Sequence, residues 1–177
     1  MLNIILFGKP GAGKGTQADY IKSYFNLVHI STGDLFRNNI KNKTQLGLMA
    51  KSFMDQGKLV PDQVTIDMLK NEVTKNDKAN GFIFDGFPRT RSQAEILDEF
   101  LNSMKMNITA TISLDVEDLI LEKRLIKRGK ISGRIDDQNL DKIRNRFKEY
   151  NKKTFPLINY YKSFNKFHSI SGTGSIY

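Results

Sequence analysis

A glycine-rich run near the start of the chain constrains the fold more than any other feature: Gly8-Lys9-Pro10-Gly11-Ala12-Gly13-Lys14-Gly15-Thr16. It follows an apolar segment, Leu2–Phe7, that predicts a buried strand, and it precedes Ala18, Ile21 and Phe25 at helical spacing. Glycines adopt backbone conformations closed to other residues, so successive N–H groups of such a turn can converge on one anion. The helix N-terminus adds partial positive charge, and Lys14 adds a mobile cation. The run therefore predicts a loop that binds the phosphate chain of a nucleotide.

Composition narrows the class of protein. The 177 residues suit one compact domain, and the chain has no cysteine for disulfides or thiolate metal sites. The net charge of +9 fits an anionic partner, although lysines that are only solvated would give the same balance. The sequence shows no apolar run of membrane-spanning length and no basic leader before the first strand. We therefore expect a cytoplasmic protein without a membrane partner.

The order of apolar and helical patterns predicts an α/β fold with a parallel sheet. Helical patterns alternate with five short apolar runs that predict strands, at Leu2–Phe7, Leu27–Ile30, Gly81–Phe84, Thr109–Leu114 and Lys166–Ile170. Pro61 suits the start of one helix, Asp115 suits the cap of another, and Pro156 should break the helix before it.

Two segments lie outside the predicted sheet. Residues 31–60 place helices between the second and third strands, and we call them the first cover. Residues 127–137 form a polar, glycine-containing segment that we expect to be a loop, and we call them the second cover. Both have the composition of mobile segments over a site, which suits a reaction from which water must be excluded.

Further phosphate-binding candidates follow the second and third strands. Ser31 or Thr32 can cap a helix that carries Arg37 one turn further on. The third strand ends in Asp85, at the sheet edge where open α/β proteins bind ligands, and a carboxylate there can orient Mg²⁺ through water. Arg89 follows with a planar fork suited to phosphate, and the amide of Gln93 can pair with adenine on two atoms.

A basic series lies in the last third of the chain. Arg124 and Arg128 are four residues apart and share one helix face. They could bind nucleotide phosphate, or they could only complement the negative end of the helix dipole. Arg134 follows in the second cover, while Arg144 and Arg146 both flank an apolar helix stripe. Helical periodicity alone does not choose between Arg144 and Arg146.

These motifs, taken in order, resemble one family. The general phosphate loop has Ser or Thr directly after the lysine, whereas here Gly15 stands there and Thr16 follows. Lys-Gly-Thr is the form found in nucleoside monophosphate kinases, and Gly-x-Pro-Gly-x-Gly-Lys-Gly-Thr-Gln resembles the adenylate kinases. Ser-Thr-Gly-Asp at 31–34 and Asp-Gly-Phe-Pro-Arg at 85–89 are similar to that family's other motifs. The resemblance implies MgATP + AMP ⇌ 2 ADP.

The resemblance also implies an architecture. It is the P-loop kinase fold, a five-stranded parallel sheet flanked by helices. The first cover would be the NMP-binding insert and the second a short lid without the longer zinc-capable insert. The core would comprise residues 1–30, 61–126 and 138–177. The resemblance further implies Mg²⁺ with ATP, no zinc, a monomer, no nucleic-acid partner and a cis Phe87–Pro88 bond.

Site residues follow from the same resemblance. Five cations would act in catalysis: Lys14, Arg89, Arg128, Arg134 and Arg146. ATP would meet Gly11, Ala12, Gly13, Lys14, Gly15, Thr16, Arg124, Arg128 and Gly174. AMP would meet Thr32, Arg37, Lys58, Leu59, Val60, Gly86, Phe87, Pro88, Arg89, Gln93, Arg134 and Arg146. Asp85 would hold Mg²⁺ through water, with no direct protein ligand.

One departure from the family and three rival functions accompany this interpretation. In the family the run at 171–176 leads into a final helix, whereas this sequence ends at Tyr177, so we expect Gly174 on an unsupported tail. A UMP/CMP kinase is the rival within the class, and Thr32 and Gln93 argue against it, because those relatives usually carry Ala and Asn there. The second rival is a truncated low-activity nucleotide binder. The third is a nucleotide-gated RNA-binding module, which would need aromatic–basic surface motifs.

Overall fold

A computed structural model describes residues 1–174 and contains one parallel five-stranded sheet. Its strands lie in the order β2-β3-β1-β4-β5, and every neighbouring pair is parallel. They are β1 (Leu2–Phe7), β2 (Val28–Ser31), β3 (Gly81–Asp85), β4 (Ala110–Asp115) and β5 (Phe167–Ser171). The predicted fold class and all five strands are confirmed, each to within a residue at either end.

Helices connect the strands and cover both faces of the sheet. They are α1 (Lys14–Phe25), α2 (Thr32–Lys41), α3 (Gln45–Met54), α4 (Asp62–Lys75), α5 (Arg91–Ser103), α6 (Asp118–Ser132), α7 (Leu140–Glu149) and α8 (Leu157–Lys162). A 3₁₀ turn spans Ile135–Asp137, and a π-helical turn spans Tyr150–Thr154.

Successive side chains of β1 point to opposite faces of the sheet and belong to two separate core clusters. Ile5 and Phe7 belong to a cluster with residues of α4, α5 and α8, while Ile4 and Leu6 belong to a second cluster with Ala18 of α1. This follows from the period of two residues in a strand. Because both faces are covered, β1 is apolar almost throughout, as expected for a parallel sheet.

The strand register aligns the carboxyl ends of β1, β2 and β3. Ser31 at the end of β2 is paired with Asp85 at the end of β3, and Asp85 is paired with Leu6 of β1. The phosphate loop leaves the same edge directly after Phe7. Candidate residues from three sequence motifs therefore meet at the carboxyl edge of the sheet.

Several local expectations need correction. Asp115 does not cap α6, because it is the last residue of β4, accepts a hydrogen bond from Ser113 and leaves Glu117 at the N-cap. The second cover is not a loop from residue 127, because α6 continues to Ser132 and ends at Gly133, whose φ of 67° suits glycine. Phe25 is 49% exposed and does not share the buried face of α1 with Ala18.

Other local expectations are confirmed. Ser31 caps α2 by accepting a hydrogen bond from the Asp34 N–H at 3.3 Å. Pro61 stands at the N-cap of α4, and Pro156 separates the π-helical turn from α8. The expectation of an unsupported tail concerns residues 175–177 as well, which lie outside the described residues.

Candidate active site

A cavity of about 830 Å³ opens at the carboxyl edge of the sheet. This volume lies in the range of small-molecule sites. Among the described residues, every predicted site residue lines it except Phe87, whose side chain is 1% exposed and packs in the core. The structure thus brings together residues from the phosphate loop, both covers, the segment after β3 and helices α6 and α7.

The phosphate loop has the predicted backbone form. Gly13 stands at the N-cap of α1 with a φ of 99°, a conformation that favours glycine. Lys14 is the first helical residue, and its Nζ donates a hydrogen bond to the carbonyl oxygen of Gly8 at 2.8 Å. Burial lowers the pKa of Lys14 to about 8, and the nearby arginines lower it while Asp85 raises it. A phosphate chain would supply the missing negative charge.

Asp85 is an ionised carboxylate beside this lysine. Burial acts to raise its pKa, but His29, Lys14 and Arg89 outweigh that effect and hold the pKa below its usual value. The Nε2 atom of His29 lies 3.6 Å from Asp85 Oδ2. His29 lies on edge strand β2, and His168 is exposed on β5. Within residues 1–174 no group of three or more carboxylate or histidine side chains is placed to hold a metal ion.

Arg89 is fixed by its own segment. Its Nε donates to the carbonyl oxygen of Gly86 at 2.6 Å, and the Phe87–Pro88 bond between them is cis, as predicted. Gly86 has a φ of 77°, and a Cβ there would lie 2.7 Å from Arg89 Nη2. Burial lowers the pKa of Arg89 to about 10, and the charge of Arg146 adds to this. The guanidinium therefore remains positive at neutral pH.

Thr32 and Gln93 lie on the same side of the cavity. The Thr32 hydroxyl donates to the carbonyl oxygen of Gly86 at 2.9 Å. Gln93 is 2% exposed; its Nε2 donates to Asp62 Oδ1 at 2.8 Å, and its Oε1 accepts from the Arg89 N–H at 2.7 Å. These partners fix the orientation of the amide, which leaves one N–H and one lone pair of Gln93 for a further ligand.

Arginines from the second cover and α7 are arranged by carboxylates. Asp137 is fully buried, with Arg128 Nε 2.6 Å from its Oδ2 and Arg146 Nη1 2.7 Å from its Oδ1. Burial acts to raise the pKa of Asp137, but these two arginines outweigh it, and the pKa lies below its usual value.

A second carboxylate links the two covers. Asp34 Oδ1 accepts from Arg37 Nη2 at 2.5 Å and from Arg134 Nη2 at 3.2 Å. Burial acts to raise the pKa of Asp34, but the hydrogen bond and charge of Arg37, with Ser31 and Arg134, lower it on balance. Arg37 of the first cover and Arg134 of the second, both predicted to bind phosphate, thus lie next to each other at one carboxylate oxygen.

The structure separates Arg146 from Arg144. Arg146 lines the cavity, whereas Arg144 is exposed and is not among the cavity residues. The Nε atom of Arg144 lies 2.8 Å from Oε1 of Glu122 on α6. Arg124 lines the cavity too, and its Nη1 donates to the carbonyl oxygen of Gly172 at 3.0 Å. Of Arg144 and Arg146, the structure therefore places at the cavity the one that the family pattern favours, and its role stays a prediction.

Sequence reasoning missed several residues of this region. Asp34 and Asp137 arrange the arginines, and Tyr150 and Thr154 of the π-helical turn line the cavity. Burial and the charge of Asp115 raise the pKa of Tyr150 to about 12, although the Gly8 backbone and Ser113 act to lower it. The acidic pair at 136–137, within a basic stretch, was the one available signal for Asp137.

The parallel sheet, phosphate loop and cationic cavity define the class as a P-loop nucleotide-binding protein. The family model described as "Adenylate kinase" matches residues 6–166. A protein named adenylate kinase from Flavobacterium psychrophilum is 61% identical over 176 residues, which cover 99% of this chain and 93% of that protein. A second from Flavobacterium johnsoniae is 58% identical with the same coverage, and one from Leptospira biflexa is 48% identical over 99% of this chain and 94% of its own. The chain belongs to the adenylate kinase family.

The length and apolar character of the helices decide whether they could span a membrane. Across residues 1–174, none of them is both long and apolar enough to cross a bilayer.

Proposed function

We propose that this chain catalyses reversible phosphoryl transfer from MgATP to AMP, giving two ADP. One observation carries the proposal: Lys14 of the phosphate loop lies in one cavity with Asp85, Arg89, Arg128 and Arg146 and interacts electrostatically with all four. Phosphoryl transfer depends on positioning and fixed positive charge around a transferring group whose charge is spread over its oxygens. A cationic cavity built from separate motifs suits that requirement.

The proposed site has two halves. The phosphate loop from Gly11 to Thr16, with Arg124, Arg128 and Gly174, would bind ATP. The AMP side would comprise Arg37 and the residues from Gly86 to Arg89, with Arg134 and Arg146 between the two phosphate chains. Thr32 and Gln93 would face adenine, beside Lys58, Leu59 and Val60 of the first cover. All of these residues line the cavity apart from Phe87, which we propose contributes through its backbone alone.

Magnesium would be held beside the outer phosphates by Asp85 through water. The ionised Asp85 carboxylate at the strand end, with 13% of its side chain exposed, fits this role. Bound there, the ion would neutralise charge on the phosphates of ATP. The chain itself need not supply a general base, because the acceptor phosphate is already ionised near neutral pH, with a second pKa of about 6.

The two covers would exclude water, which would otherwise hydrolyse ATP. The ion pair between Asp34 and Arg134 supports this role, since it links a residue of the first cover to a residue of the second. We further propose that the chain acts as a monomer, because one chain supplies both halves of the proposed site. Its nucleotide substrates also suit the cytoplasm.

A coupled assay of ADP formation tests the proposal. ATP and Mg²⁺ are supplied with AMP, UMP, CMP or GMP in turn. The rate of ADP formation with AMP should exceed the rates with UMP and CMP by at least about tenfold, because one lost buried amide pair costs roughly 1–3 kcal/mol. Equal turnover of AMP and UMP would contradict adenine selection, and absence of ADP with every acceptor would contradict the proposed reaction.

A further inference from the structure

The turn between α7 and α8 carries a side chain that reaches the segment after β3. After Glu149 the helix widens into the π-helical turn Tyr150–Thr154, an uncommon form that often marks functional sites. Thr154, its last residue, is 4% exposed. Its hydroxyl donates a hydrogen bond to the carbonyl oxygen of Arg89 at 3.0 Å, across 65 positions of sequence.

The Arg89 backbone is thereby held on both sides. Its N–H donates to Gln93 Oε1 at 2.7 Å, and its carbonyl oxygen accepts from Thr154. The side chain is held separately, since Arg89 Nε donates to the Gly86 carbonyl oxygen. The N–H and carbonyl contacts come from side chains of α5 and of the π-helical turn, two elements that lie outside the Gly86–Arg89 turn.

Arg89 needs such support because its surroundings repel it. Burial and the charges of Arg146 and Arg37 all disfavour its charged form, and Asp85 and Asp136 offset them in part. A flexible cation in this position would move away from its like-charged neighbours. Two backbone contacts limit that movement before any phosphate binds.

We infer that Thr154 is a positioning residue whose hydroxyl fixes the Arg89 carbonyl and so directs the Arg89 guanidinium at the transferring phosphate. The inference rests on the proposed function. The π-helical turn is what delivers the hydroxyl, since it lies between the helix that carries Arg146 and the helix break at Pro156. One segment thus supplies one cation directly and orients a second.

Thr154→Ser and Thr154→Ala test the inference as a pair, because both lose the methyl group and only one keeps the hydroxyl. Thr154→Ala should lower kcat by at least about tenfold, since a small misplacement of a positioning group costs that much, while KM for ATP changes less than about twofold. Thr154→Ser should stay within about threefold of the unaltered chain. Thr74→Ala is the matched control, because the exposed Thr74 hydroxyl bonds only its own helix, at the Lys70 carbonyl oxygen.

A double-mutant cycle with Arg89→Ala separates positioning from a merely structural role. In the Arg89→Ala background, Thr154→Ala should change kcat by less than about twofold, because the group it positions is gone. AMP affinity by calorimetry gives a readout apart from turnover: Thr154→Ala should weaken it, and Thr154→Ser should restore it. Equal kcat for the Ser and Ala variants, or full additivity with Arg89→Ala, overturns the inference while the unaltered chain still makes ADP. An unaltered chain that makes no ADP contradicts the proposed function instead.

Discussion

Asp137 Oδ1 lies 2.7 Å from Arg146 Nη1, and Asp137 has no exposed surface. Its other carboxylate oxygen holds Arg128 at 2.6 Å, so one buried anion sets the spacing between two cations of the proposed site. A buried carboxylate is unfavourable unless it is paired and hydrogen-bonded, and here both arginines meet that condition.

The first prediction concerns that carboxylate. Asp137→Asn should lower the free energy of unfolding at neutral pH by about 1–3 kcal/mol, because both arginines lose a charged partner. The pKa of Asp137 is depressed in the folded protein, so its contribution is present above the unfolded value near 4 and is lost as pH falls through the folded value. Urea unfolding of both proteins from about pH 7 to about pH 3 should therefore show the difference shrinking toward acid. A constant difference would mean that the charge of Asp137 is not what stabilises the fold.

The second prediction uses the two neighbouring arginines of α7. Arg146→Ala should lower kcat by about 10²-fold, a typical loss for one electrostatic group that stabilises a transition state. Arg144→Ala is the control, since Arg144 is exposed, pairs with Glu122 and is not among the cavity residues. Arg89→Ala and Lys14→Met should resemble Arg146→Ala while retaining the fold by circular dichroism. Near-normal kcat in Arg146→Ala, or a comparable loss in Arg144→Ala, would place the essential charge elsewhere.

The third prediction follows from the depressed pKa of Lys14, at about 8. A bound phosphate chain brings negative charge and should raise that pKa, so ATP binding at about pH 9 should take up part of a proton. At about pH 7 Lys14 is largely charged in both states and should contribute little uptake. Calorimetry in two buffers of different ionisation enthalpy measures the uptake, and Lys14→Met should abolish the component that appears above pH 8. Equal uptake at both pH values would show that Lys14 does not titrate on binding.

Much of this arrangement follows from local sequence. The strands were predictable because a sheet covered on both faces needs near-continuous apolar runs, such as Leu2–Phe7. The phosphate loop and the Asp85–Arg89 segment were predictable because their residue types and spacing meet steric and charge requirements within a few positions.

The rest depends on contacts that local patterns do not encode. Thr154 meets Arg89 across 65 positions, and Asp34 meets Arg134 across 100. The loop expected from residue 127 was wrong because Gly129 packs closely against Asp137, within α6 rather than at a break in it. Glycine in a helix costs only about 1 kcal/mol, which such packing can offset.

The last prediction concerns the two covers. Asp34 of the first cover binds Arg37 of its own segment and Arg134 of the second, so the covers meet through one exposed carboxylate. Five cations that face one cavity repel one another, and nucleotide phosphates neutralise that repulsion. Each cover therefore gains further contacts when its ligand is present, and this differential affinity is what shifts its population. A bisubstrate mimic that links two adenosines through five phosphates should close both covers at once.

Hydrogen exchange with and without that mimic measures the change. Protection should rise in residues 31–60 and 127–137, while the strands, including β1 and β3, keep their values. Asp34→Ala serves as the comparison: it removes the carboxylate between the covers but leaves the phosphate cations in place. Its covers should gain protection with the mimic, yet less than those of the unaltered chain. If tight binding leaves both segments unchanged, the site is preformed and the two segments are not covers.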